Sequence, residues 1–126
     1  MERTLILLRV SLAALFFWFG FQQWLHPSMW IAFLPTWTGY IPAPPNIFIM
    51  INGCIELIGA IALLIGIWVR PISVFFGLHL LLIAISVGDA IGVRDAALAA
   101  SAFALALSPA DRYTIDAKFP PSSNQN

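Results

Sequence analysis

Charge is scarce in this sequence: six basic and six acidic residues in 126, with a formal net charge of zero. That balance removes the basic excess that nucleic-acid phosphates select, and the charges stand singly rather than in blocks, so no nucleic acid is expected as a partner. Cysteine is scarcer still. A lone Cys54 excludes a CxxC pair, an internal disulfide and a thiolate cluster within one chain, and its expected role is packing. The two histidines, His26 and His79, are far apart and the carboxylates are isolated, so no metal-ligand spacing is present. With only His79 deep in an apolar run, haem ligated within one chain is not expected either.

What the sequence has is apolar surface. At 60% hydrophobic residues and a mean hydropathy of +0.89, it carries more than a soluble domain of this length could bury, so the lipid bilayer is its expected surrounding. Four runs stand out, Thr4 to Leu25, Asn46 to Val69, Pro71 to Gly88 and Val93 to Ser108. Each is close to the roughly 20 residues a helix needs to cross about 30 Å of hydrocarbon. Continuous stretches such as "IALLIGIWV" lack the alternation of a membrane barrel. The reading is an all-α integral membrane four-helix bundle of antiparallel hairpins, filling residues 1–110. The first run is longer than a signal-peptide core and is taken as a retained span.

The connections differ in kind. The first, "HPSMWIAFLPTWTGYIPAPP", has Pro and Trp but no Lys or Arg, which suits a segment lying at the membrane interface over one end of the bundle. The second is reduced to Arg70-Pro71 and the third to "DAIGVRD". Arg3, Arg70, Arg112 and Lys118, with Arg9 just inside, lie on the side of the termini, against Arg94 alone on the other. The positive-inside rule then puts both termini in the cytoplasm, with a prokaryotic cytoplasmic membrane as the expected location. Residues 111–126 turn polar and end in Pro, Ser and Asn, a composition expected to form a mobile cytoplasmic tail.

Polar residues within the spans carry the functional argument. Three-and-four spacing puts Arg9, Ala13, Phe16, Gly20 and Gln23 on one face of the first span, and Asn52, Glu56 and Gly59 on one stripe of the second. His79 shares a side of the third with Phe75, Phe76, Ile83 and Ser86. Glu56 sits about 15 Å from one end of its span, and His79 and Arg9 about 12 Å and 8 Å from the other, at 1.5 Å per residue. An unpaired charge at mid-bilayer costs roughly 2.5–3.5 kcal/mol, so Arg9, Glu56 and His79 are expected to converge, with Asn52 and Gln23 beside them. A network of this kind either fixes helix register or forms a ligand or proton pocket. A second polar cluster, Asp89, Arg94 and Asp95, is expected at the opposite face, where Arg94 can pair with Asp89 and Asp95 can cap a helix. His26 is expected in solvent, and most of the five tryptophans at the interface.

An arginine within "LILLRVSLAALFFWFGFQQWL", then "INGCIELIGAIALLIGIWVRP", then "GVRDAALAASAFALAL" together resemble the DoxX family of small four-helix membrane proteins. The second block, Glu56 through Arg70, is the most specific. The resemblance implies a membrane subunit linked to redox chemistry, some members being associated with thiosulfate:quinone oxidoreductase, and so implies redox partner subunits. It departs at Gln23, where many relatives carry a lysine, and Cys54 has no partner for a sulfur relay, which argues against thiosulfate oxidation by this chain alone. Three functions remain open at this point. One is a polar pocket for a quinone-like ligand or for proton relay. Another is a non-enzymatic accessory subunit of a larger membrane complex. The third is a small transporter, which would need several chains to form a pore, as a homo-oligomer.

Overall fold

The computed structural model describes residues 1–119, and among these it is a helical membrane bundle without strands. Helix α1 spans Glu2–Leu25, α2 Pro45–Ile65, α3 Val69–Val87 and α4 Asp89–Leu107, and a short α5 covers Ile115–Lys118. Each of α1 to α4 is long and apolar enough to cross a membrane. Between α1 and α2 the chain makes two 3-10 turns, Pro27–Phe33 and Thr36–Tyr40, neither of which buries a residue.

Helix ends follow from local chemistry. Helix α2 starts with Pro45 in its first turn, where the missing N–H is no loss. It stops at Gly66, whose φ of 80° lies in the left-handed region. The Gly66 and Ile67 N–H groups there fold back onto the Leu63 and Ala62 carbonyls, 3.2 and 2.9 Å away, in a Schellman arrangement. The turn is thus made by Gly66, Ile67 and Trp68, and the expected Arg70-Pro71 connection is instead part of the first turn of α3. Gly88, at φ 69°, reverses the chain between α3 and α4 in a single residue. The expected third connection, "DAIGVRD", is therefore helical, and α4 begins at Asp89 rather than Val93.

Helices α1 and α2 pack along their length, as do α3 and α4, whereas α2 and α3 meet only in part. The α1–α2 approach is set by two glycines: a Cβ at Gly20 would lie 2.8 Å from the Gly53 carbonyl, and one at Gly53 3.0 Å from that of Gly20. The two hairpins are joined through the core by Phe16 and Phe76, whose rings stack at 3.7 Å, and the Phe76 ring lies over Gly59. Around them Leu12, Leu63, Leu80 and Leu105 are buried.

Two expectations fail at the end of the bundle that carries α5. Arg9 does not turn toward Glu56. Its Nε donates to Asp111 Oδ2 at 2.9 Å, and its Nη1 to the carbonyls of Leu63 and Leu64 at 2.7 and 2.6 Å. The cause is local: the last turn of α2 presents carbonyls with lone pairs to spare, Leu63 accepting only from Gly66 within the turn, and a guanidinium with five donors matches two carbonyls and a carboxylate at once. Residues 111–119 are likewise not a free tail. Asp111 and Thr114 are buried, Asp116 donates its N–H to the Gly66 carbonyl at 3.0 Å, and its carboxylate accepts from the N–H groups of Trp68 and Val69, each at 2.9 Å. This carboxylate caps α3 from outside the helix and steadies Trp68 at φ 52°. The remainder of the expected tail, 120–126, lies outside the described residues.

Replacing Asp111 by Ala strands the Arg9 guanidinium in the core, and breaking a buried pair from one side costs about 3–5 kcal/mol. Thermal unfolding in detergent micelles should show a loss of that order for Asp111→Ala. A loss below about 1 kcal/mol, as for a surface pair, would mean that this contact does not hold the C-terminal segment.

Candidate functional site

The close approach of Gly20 and Gly53 fixes what stands beside it. Gln23 is one turn beyond Gly20 on α1, and Asn52 and Glu56, one turn apart, flank Gly53 on α2. Gln23 Nε2 donates to Glu56 Oε2 at 2.8 Å. Asn52 Nδ2 bridges Gln23 Oε1 at 2.8 Å and Glu56 Oε1 at 3.0 Å. From α3, His79 Nε2 completes the set at 3.1 Å from Glu56 Oε1. Three helices thus direct three donors at one carboxylate, which is 3% exposed. A buried carboxylate with this many partners avoids the desolvation penalty that an unpaired one would meet in hydrocarbon.

The amide orientations are settled by the network. Glu56 Oε1 and Gln23 Oε1 are both acceptors, so the Asn52 group between them must be its NH2, and the Gln23 group facing Oε2 must likewise be its NH2. Against an ionised Glu56, which only accepts, the tautomer of His79 that completes the network carries its hydrogen on Nε2. No hydrogen bond to His79 Nδ1 or Asn52 Oδ1 occurs among the described residues.

These four residues line a cavity of about 670 Å³ between α2 and α3, where those helices part. Ile49, Phe48, Leu82 and Ile83 supply apolar walls, and Trp30, Phe33 and Trp37 of the first connection form the roof. An edge-to-face contact of Phe19 with Trp30 at 5.6 Å, continued by a tilted contact of Trp30 with Phe33 at 5.7 Å, ties the roof to α1. Leu82, a wall of the cavity, is 65% exposed, whereas Glu56 at its polar end is buried.

Of the expected pocket residues, the structure brings together Gln23, Asn52, Glu56 and His79, and leaves Arg9 at the other end of α1. The second cluster is rearranged as well. Arg94 pairs with its neighbour Asp95, Nε to Oδ1 at 2.9 Å, rather than with Asp89. Asp95 is buried inside α4 and is not a helix cap, because α4 begins at Asp89 with Gly88 as its N-cap. None of these three lines the cavity. His26 is exposed at the end of α1. Sequence reasoning missed Asp111 and Asp116; the signal was available in Arg9, which needs an acidic partner on its own side of the membrane. It also missed the roof aromatics as cavity walls, having assigned them to the interface.

The DoxX family model matches residues 4–89, from α1 to the first residue of α4 and thus well over half the chain. The block "GVRDAALAASAFALAL" lies beyond that match. No curated protein and no solved structure matches the chain.

The geometry makes a coupling prediction. Residues sharing a hydrogen bond typically show interaction energies of about 0.5–3 kcal/mol in a double-mutant cycle, while separated sites are additive within about 0.5 kcal/mol. Unfolding of Gln23→Ala, Glu56→Ala and the double variant should give a coupling in the first range, and the Arg9→Met/Glu56→Ala cycle should be additive. Coupling between Arg9 and Glu56 as large as that between Gln23 and Glu56 would contradict the separation of the two centres.

Proposed function

The chain belongs to the DoxX family, and from that premise we propose that this integral membrane protein binds the headgroup of a quinone-like ligand in the cavity between α2 and α3 and exchanges a proton with it. The observation that carries the reading is the position of the His79–Glu56 pair: an imidazole bonded through Nε2 to a buried carboxylate, at the polar end of an otherwise aromatic and aliphatic cavity. At about 670 Å³ the cavity falls within the roughly 300–1,000 Å³ of small-molecule sites, and a few converging polar groups in an apolar surround are what such sites share.

The chemistry follows from the pair. With Nε2–H directed at Glu56, Nδ1 is the position at which His79 takes or gives a proton, and the carboxylate stabilises the imidazolium that forms. Asn52 and Gln23 hold the carboxylate in place and so orient the ring. The aromatic roof and the walls exclude water from the headgroup. The electrons of the couple are exchanged with a redox partner in the same membrane, and this chain supplies the binding site and the proton path. The arginine distribution supports a cytoplasmic position for both termini, which puts the roofed end of the cavity at the opposite face.

A short-chain quinone analogue, offered in its oxidised and reduced states to the purified protein, should quench fluorescence from the roof tryptophans in at least one state. Glu56→Gln and His79→Ala should weaken that binding about tenfold, roughly 1.4 kcal/mol, with helical circular dichroism unchanged. Equal affinity in both variants and the parent chain would remove the pocket from consideration and favour an accessory, packing role for the network.

A further inference from the structure

The polar end of the cavity offers acceptors and almost no donors. Both Asn52 amide hydrogens are taken, one by Gln23 Oε1 and one by Glu56 Oε1. Gln23 Nε2 gives one of its two hydrogens to Glu56 Oε2, and with Gln23 only 3% exposed the second is little open to the cavity. His79 Nε2 is committed to Glu56 Oε1. Of the hydroxyls along the walls, Ser86 donates to the Leu82 carbonyl at 2.8 Å and Thr38 to the Pro35 carbonyl at 2.7 Å. Thr36 and the indoles of Trp30 and Trp37 belong to the roof, in the first connection. What remains beside the Glu56 network is a set of lone pairs: His79 Nδ1, Asn52 Oδ1 and the second acceptor site of Glu56 Oε2.

We infer that this site, on the pocket reading given above, selects the hydroxyl-bearing, reduced form of its ring ligand over the oxidised form. A quinol O–H meets the free lone pairs and donates to His79 Nδ1. While His79 is neutral, a quinone carbonyl would instead face acceptors, and would have to reach the buried Gln23 amide or take a donor away from Glu56, leaving the carboxylate short of a partner in a dry site. A site built around one hydrogen-bond pattern discriminates strongly against a ligand that cannot complete it, because buried polar groups are then left unpaired. The same reasoning excludes ligands in which the hydroxyls are methylated, although their shape and apolar surface are nearly unchanged. The preference lies in the hydrogen-bond inventory and not in size.

Three probes separate the possibilities: a short-chain hydroquinone, its quinone, and the dimethyl ether of the hydroquinone, titrated anaerobically by calorimetry into the full chain in lipid nanodiscs. The hydroquinone should bind at least about tenfold more tightly than either of the others. In His79→Phe, and separately in Glu56→Gln, that preference should fall to within about twofold, through loss of hydroquinone affinity alone. Quinone binding equal to or tighter than hydroquinone binding in the parent chain would overturn this inference and leave the pocket reading standing. Failure of all three probes to bind, or binding indifferent to both variants, would overturn the pocket reading and this inference with it.

Discussion

A carboxylate in the middle of a membrane helix must be given hydrogen bonds by the protein, because hydrocarbon gives none. Glu56 imposes that demand here, and three helices answer it. To deliver Gln23 from α1, the backbones of α1 and α2 must nearly touch, and Gly20 and Gly53 are the residues that let them. To deliver His79, α3 must hold its polar side toward α2 while Phe76, one turn earlier, packs on Phe16 and Gly59. The demand is met by polar side chains rather than by complete closure of the helices, and so α2 and α3 remain parted over a cavity.

The distribution of ionic groups between the two ends of the bundle gives the cavity its chemistry. Had Arg9 reached Glu56, the carboxylate would be locked to a permanent cation, and the pair would resemble a structural bridge. Arg9 is instead consumed at the other end by Asp111 and the last carbonyls of α2. Glu56 is left with one titratable partner, His79, whose second nitrogen is uncommitted. The α5 segment takes part in this division of labour: Asp111 neutralises Arg9, and Asp116 caps α3, so that the rigid end is complete without borrowing from the cavity.

Much of this was legible in the sequence, for physical reasons that also mark where legibility ended. The four spans follow from hydropathy and length, and the convergence of Gln23, Asn52, Glu56 and His79 from helical periodicity combined with the penalty for unpaired polar groups in lipid. The direction of Arg9 is not legible because a long guanidinium side chain can reach either way along its span, and here it turns to Asp111 and the last carbonyls of α2. The position of Asp111 was hidden because the segment after Pro109 reads as too polar to bury anything by itself; its order comes from satisfying groups on α1, α2 and α3. The length of α4 was underestimated because a connection was allotted several residues where Gly88 needs only one. The cavity itself has no signature in one sequence, since it arises from how two adjacent helices diverge.

An experimental density map of the protein in lipid nanodiscs with a short-chain hydroquinone added is the most direct test. The account predicts a ring-shaped feature between α2 and α3 within hydrogen-bonding reach of His79 Nδ1, beneath Trp30 and Trp37, with Glu56 bonded to Gln23, Asn52 and His79. A map that turns Glu56 toward acyl chains, or pairs it with Arg9 across a closed α2–α3 interface, would contradict it.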